Sequence, residues 1–245
     1  MNKVILLTLI IFLNLLNAST SKIEVVTENY PPFQWKNQQN ITGPSTDVVK
    51  ALLDKVGYTY SLDIYPWARA YKIAQSRKNV MIYSITRTRE REKLFKWIDT
   101  IASHHVYFWK LKSRKDIQIK ILSDAKKYII SGVRKDAKTQ YLLNNGFKQN
   151  LKTGIVHSTD ISIKLLFSNK VELLVENEDL ILQAQKLGYD VSLLEKAYYL
   201  KGFSQDLYIA LSLMTDDSLV DRFKKALEEL KLSGEFDRII NKYKK

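Results

Sequence analysis

The sequence predicts an α/β protein built from two α/β units in tandem. Between Lys22 and Ile85, short β-rich runs alternate with helix-period runs in the order β-α-β-α-β, the pattern of a sheet covered by helices. A second alternating series runs from Tyr128 to Leu187. The 245 residues suffice for one large domain or two modest ones, and 45% apolar with 27% charged content is ordinary for a globular protein.

The first series begins with KIEVVT (Lys22–Thr27), a buried-strand candidate that Pro31 and Pro32 stop. Gly43 and Pro44 mark a turn. Thr46 is then expected to cap a helix through Val48, Leu52 and Val56 that ends at Gly57. Tyr58–Tyr65 alternates like a strand, Trp67–Ser76 has helical spacing, and Val80–Ile85 is another apolar strand. In the second series, Tyr128–Val133, Gly154–His157 and Val171–Val175 read as strands. Ala137–Asn144, Asp160–Phe167 and Leu180–Leu187 read as helices. Near the end, LYIALSL (Leu207–Leu213) is a strand. Asp217 or Ser218 opens an amphipathic helix through Leu230, Gly234 breaks it, and a last short helix follows.

At the N-terminus, Lys3 precedes an apolar run from Val4 to Leu16, and the small residues Ala18 and Ser19 follow. Residues 1–18 therefore read as a secretory signal peptide, since a membrane span needs about 20 apolar residues. No second long apolar stretch follows, so the mature protein is expected in solution outside the cytoplasm, most simply in a periplasm. The chain has no cysteine, which excludes disulfides, thiolate metal sites, a catalytic thiol and a lipid-modified cysteine. The net charge is +13, but lysines are interleaved with Glu and Asp along the whole chain. That distribution describes a solvated surface, and nucleic acid is not an expected partner.

The segments TENYPPFQW, GPSTDVV, SITRTRERE with FKWIDT, GVRKDAKTQ, VELLVENEDL and LYIALSL, and the ending ALEELKLSGEFDRIINKYKK, occur in one order and spacing. As a set they resemble the family 3 extracellular solute-binding proteins, the periplasmic receptors of polar amino-acid ABC importers. PWARAY (Pro66–Tyr71) is similar to a branch whose ligands are mostly unassigned. The resemblance covers essentially the whole mature chain. It implies the periplasmic-binding-protein type II fold, two α/β lobes joined by two crossover strands with a ligand cleft between them. It assigns residues 22–102 plus 201–245 to the first lobe and 103–200 to the second.

The same resemblance implies site residues. The family arginine that clamps the ligand carboxylate falls on Arg89 or Arg91. Arg91 is preferred, because it brings Phe95–Thr100 onto the family's next strand. A planar guanidinium offers two parallel donors to a carboxylate. Ser84 and Thr86 become hydroxyl partners of that group, while Arg87 and Arg89 read as solvated charge. Tyr30 matches the aromatic that packs on the ligand, and Phe33 reads as core. Trp67 and Arg69 fall near the cleft, Arg69 as a second anion contact or a surface charge.

Two positions depart from the family pattern. Asp136, Ala137 and Lys138 stand where relatives carry a glycine-hydroxyl turn at a helix start. Lys138 compensates only weakly for an aspartate that does not suit a carboxylate. Asn177 stands where relatives pair an aspartate with the ligand ammonium. Either Glu176 or Glu178 replaces it, with Glu28 another candidate, or the ligand is not a standard α-amino acid. His104 and His105 fall at the hinge, and no metal ligands with suitable spacing accompany them or His157.

These readings predict a non-enzymatic, monomeric receptor without cofactor or metal. It would deliver a small polar, carboxylate-bearing solute to an ABC permease. Two other readings stay open: a ligand sensor for a membrane receptor, and a dehydratase-like enzyme on the same fold that would use Glu176, Glu178 or Glu28 as an acid.

Overall fold

Residues 22–243 except 152, 204 and 205 are described in a computed structural model, and the signal-peptide expectation lies outside the described residues. Strand β1 (Ile23–Thr27) is followed by a small hairpin, β2 (Trp35–Asn37) and β3 (Asn40–Thr42). Helix α1 (Pro44–Val56) then begins two residues before the expected Thr46 cap. Gly43 is the N-cap residue instead, at φ 121°, and a Cβ there would lie 2.5 Å from the Phe33 carbonyl oxygen. Only glycine fits, and Pro44 loses nothing at the first helical position, where its missing N–H has no partner anyway. The Thr46 hydroxyl, now inside the helix, bonds the Tyr83 hydroxyl at 2.9 Å.

The series continues with β4 (Tyr60–Ile64), α2 (Trp67–Ser76), β5 (Val80–Thr86) and β6 (Phe95–Ser103). The chain then crosses into a second sheet through β7 (Val106–Leu111), with only His104 and His105 between the two strands. That unit adds β8 (Ile130–Val133), α3 (Ala137–Asn144), β9 (Ile155–Val156), α4 (Thr159–Phe167), β10 (Leu173–Asn177), α5 (Leu180–Lys186) and β11 (Leu194–Tyr199). A second crossover returns to the first sheet as β12 (Asp206–Ser212), followed by α6 (Asp217–Leu232) and α7 (Glu235–Asn241). The N-cap residue of α6 is Asp216, just before the expected Asp217 or Ser218.

The first sheet has the order β4-β1-β5-β12-β6, with β1 parallel to its neighbours and β12 antiparallel to both of its own. The second has the order β11-β7-β10-β8-β9, with β7 antiparallel to β10 and β11 and the rest parallel. The result is two α/β lobes joined by two crossovers, the architecture expected from the sequence.

Strand alternation divides each core into two faces. In the first lobe, Val25, Met81 and Tyr83 pack under α1 and α6 with Leu52 and Phe223, while Val26, Ile82 and Ile85 pack on α2 with Ala70 and Ala74. In the second, Phe108 joins Ile130, Leu142 and Phe147, while Trp109 joins Ile163, Leu166 and Leu180 on the other face. Among the described residues, no helix is long and apolar enough to cross a membrane.

Candidate functional site

Ser84 breaks the alternation of β5. The pairing with β12 shifts register between Tyr208 and Ile209, opposite Ile85 and Tyr83, and Ser84 lies at φ 55°. A bulge of this kind re-aims one side chain out of the ladder. The freed hydroxyl donates to Gln34 Oε1 at 2.7 Å. Gln34 is fully buried and its Nε2 donates to Thr27 Oγ1 at 3.0 Å, so it ties the loop after β1 to the end of β5.

That loop carries Tyr30. Its amide donates to the Gln34 carbonyl at 2.8 Å, and the Phe33 amide returns a bond to Tyr30 at 3.0 Å. The Tyr30 ring is thereby directed into the seam between the lobes. Its hydroxyl lies 3.0 Å from His104 Nδ1 in the first crossover and 3.5 Å from Glu176 Oε1 at the end of β10. Burial raises the Tyr30 pKa well above its usual value, so the hydroxyl stays a neutral donor.

Arg91 enters the same seam from the turn after β5. It is 5% exposed, whereas Arg89 is exposed, and Arg87 forms a surface pair with Glu92. Its guanidinium donates to the Thr86 carbonyl at 3.1 Å and, across the seam, to the Lys135 carbonyl at 2.8 Å. The Trp67 and Tyr71 rings lie beside it, with centroids 5.3 and 5.0 Å away, and the Tyr71 side chain also hydrogen-bonds it. The Trp67 Nε1 donates at 2.9 Å to the same Lys135 carbonyl. One carbonyl of the second lobe thus receives two donors from the first. Lys135 presents it from a left-handed turn, φ 63°.

The turn leads into α3. Asp136 caps the helix by accepting from the Lys138 amide at 2.7 Å. Lys138, one residue into the first turn, sends its ammonium back into the seam. Nζ lies 3.2 Å from Asp136 Oδ2, 3.1 Å from Glu176 Oε1 and 5.1 Å from the Tyr30 ring centroid. Burial alone would lower the pKa of this ammonium, but Asp136 and Glu176 reverse that and hold it well above its usual value. Glu176 is otherwise satisfied by the Asn177 amide at 2.9 Å and by Thr159 Oγ1, at the start of α4, at 3.1 Å.

Glu28, Tyr30, Trp67, Ser84, Thr86, Arg91, His104, Asp136 and Lys138 enclose a cavity of about 10 Å³, roughly room for one water molecule. Glu28 and Trp67 also border a second hollow of about 210 Å³, closed on the other side by His157, Ser158, Thr159 and Asp160. Burial, with Asp136 and Glu176 nearby, pushes the Glu28 carboxyl up to about 8, so at neutral pH it is mainly a neutral acid.

Of the residues singled out from the sequence, Tyr30, Trp67, Ser84, Thr86, Arg91 and Glu176 meet at this seam. Asn177 does not. Its side chain closes a turn with Asp179, bonded at 2.9 and 3.2 Å, and lines a separate hollow beside His105. The side chain at 176 takes the inward place because the strand period of two sends its neighbour elsewhere. Glu178 lies outside the seam and pairs with Lys196 at the surface. Arg69 is exposed and stacks on Tyr65. Asp136, expected to be offset only weakly by Lys138, forms a buried ion pair with it, and Lys138 shares its ammonium with Glu176. Gln34, His104 and Thr159 were missed as site residues. The only sequence signal for Gln34 was a polar residue inside an aromatic-proline loop. Among the described residues, no group of three His, Asp or Glu is placed to hold a metal ion.

The comparisons agree with this fold. The chain is 24% identical over 233 residues to the arginine-binding extracellular protein ArtP of Bacillus subtilis (strain 168), covering 88% of this chain and 82% of that protein. It superposes with a TM-score of 0.81 on a histidine kinase sensor domain similar to periplasmic binding proteins, at 16% identity and with 91% and 95% of the two chains covered. It superposes at 0.78 on an ancestral arginine-binding protein bound to arginine, at 22% identity and with 91% and 97% covered. A family profile matches residues 23–245, and by that match over nearly all of its described length the chain belongs to the bacterial extracellular solute-binding proteins, family 3.

Proposed function

We propose that this solute-binding protein is exported to a periplasm. There it captures a small carboxylate-bearing solute between its lobes, an amino acid or a related acid, and presents it unchanged to a membrane permease. Arg91 carries this reading. A buried guanidinium beside the Trp67 and Tyr71 rings bonds the Thr86 and Lys135 carbonyls and the Tyr71 side chain, and among the described residues it has no carboxylate within ion-pairing distance. Such a fork is shaped for two carboxylate oxygens. The named ligand of the Bacillus relative supports an amino-acid-sized solute.

Capture begins with the lobes apart, which breaks the bonds from Arg91 and Trp67 to Lys135 and the Glu90–Asn144 contact. The carboxylate then accepts from Arg91, with Ser84 and Thr86 beside it, and the Tyr30 ring covers the ligand body. Closure around the two crossovers brings the second lobe back over the ligand and buries it. A thermal-shift screen of amino acids and small carboxylic acids tests this. At least one carboxylate should stabilise the wild-type protein and fail to stabilise Arg91→Ala. Equal stabilisation of both proteins would remove the clamp.

A further inference from the structure

Lys138 is a cation that belongs to the chain but sits as a bound cation would. Its ammonium has two carboxylate oxygens at 3.1 and 3.2 Å and an aromatic face at 5.1 Å, and its side chain is only 6% exposed. An ammonium has three donors, and Asp136 and Glu176 take two of them. These carboxylates are committed on their remaining oxygens too. Asp136 Oδ1 caps α3, and Glu176 accepts from the Asn177 amide and the Thr159 hydroxyl. The carboxyl left on the cavity wall is Glu28, which burial keeps mainly protonated at neutral pH, so it acts as a donor.

Arg91 and Lys138 therefore balance Asp136 and Glu176, and Arg91 alone of the four has no ion-pair partner within 4.0 Å among the described residues. An incoming carboxylate meets a guanidinium that lacks an ion-pair partner among the described residues, and a carboxylic acid O–H. An incoming ammonium meets two cations, two carboxylates already committed to Lys138, and a Glu28 carboxyl that must first give up its proton, and a buried ammonium without a counter-charge is costly. We propose that Lys138 fills, from within the chain, the place a ligand ammonium would need, and that the cleft selects a carboxylic acid lacking an α-ammonium group. This inference rests on the carboxylate-binding reading above and narrows it. Lys138 is then a specificity-determining residue that need not touch the carboxylate itself.

The test uses matched pairs that differ only in the ammonium: L-glutamate with glutarate, L-phenylalanine with hydrocinnamate, L-arginine with δ-guanidinovalerate. Each is titrated calorimetrically into the wild-type protein, Arg91→Ala, and the double variant Asp136→Asn/Lys138→Met. The double variant removes one charge of each sign, keeps an N-cap acceptor, and leaves Glu176 open to a ligand ammonium. For the side chain that fits, the wild type should bind the ammonium-free member roughly tenfold or more tightly than its amino acid, and the double variant should reverse that order. The wild-type ranking needs no variant, so it decides the matter even if the double variant does not fold. Tighter wild-type binding of an amino acid than of its ammonium-free partner, lost in Arg91→Ala, overturns the role of Lys138 and leaves the carboxylate cleft standing. Binding that is equal in Arg91→Ala, or absent for every pair, overturns the carboxylate cleft and this inference with it.

Discussion

The Lys138 ammonium and the Glu176 carboxylate meet 3.1 Å apart, with side chains 6% and 2% exposed, and join the first turn of α3 to the end of β10. Removing Glu176 leaves the buried ammonium with Asp136 alone and takes the acceptor from the Thr159 hydroxyl and the Asn177 amide, which costs more than the pair contributes. Glu176→Ala should therefore lower stability by about 3 kcal/mol. Glu176→Gln, which keeps acceptors for Thr159 and the Asn177 amide, should lower it by less. Urea unfolding measures both, and equal losses would show that the hydrogen bonds, not the charge, hold this corner together.

The Lys135 carbonyl is the latch of the closed form, since both Trp67 and Arg91 donate to it. Trp67→Phe keeps an aromatic ring and deletes one donor, a change worth about 1 kcal/mol. In ligand-free protein it should shift the population toward the open form, read as a larger radius of gyration in small-angle scattering. Lys135→Gly should preserve the turn at φ 63°, and Lys135→Val should strain it. A melting temperature that falls equally in both variants would argue against a conformational role for that turn.

Glu28 gives the site a pH signature. Its pKa is raised from 4.5 to about 8, by burial first and then by Asp136 and Glu176, while Lys138 and Arg91 oppose the rise. The unfolded chain releases this proton near 4.5 and the folded chain only near 8. The stability contribution is thus complete below the lower value, declines as pH rises through the window, and is flat above it. Glu28→Gln lacks this decline, so its stability relative to wild type should grow with pH, by at most about 1.4 kcal/mol per unit. Asp179, which burial and the neighbouring Glu176 and Glu178 raise to about 7, titrates in the same window but cancels in the difference. Parallel unfolding profiles for the two proteins would remove the assignment.

The three arginines of SITRTRERE should separate cleanly. Arg89 is exposed and Arg87 is paired with Glu92, so alanine at either position should leave ligand affinity within about twofold. Arg91→Lys keeps the charge but not the planar fork, and should weaken carboxylate binding by roughly tenfold or more. A loss on Arg89→Ala comparable to that on Arg91→Lys would move the anion site to the rim of the cleft.

The two-lobe fold was legible because the strands and helices carry their periods openly. Val25 and Val26 point to opposite faces of the first sheet, and Leu219, Val220, Phe223, Leu227 and Leu230 line one side of α6. The hairpin β2–β3 and strand β11 were not anticipated. WKN and NIT are too short for a period, and Leu194–Tyr199 is half-exposed with an irregular register. At the site, Arg91 was preferred over Arg89 through the family resemblance, and the structure buries Arg91 in the seam and leaves Arg89 exposed. The inward turn of Glu176 in place of Asn177 was not, because VELLVEN is apolar on both faces and a one-residue shift reverses which side chain faces the cleft. The Lys138 arrangement depends on a helix start brought against a strand end and a loop from the other lobe, and no local pattern encodes that meeting.

The central claim, a carboxylate clamp at Arg91, is tested most directly by calorimetric titration of wild type and Arg91→Ala with the carboxylate that most stabilises the wild type. Losing two charge-assisted hydrogen bonds predicts an affinity about a hundredfold weaker or worse, with the variant's fold intact by circular dichroism. An affinity within about twofold of wild type in a folded Arg91→Ala protein would contradict the account.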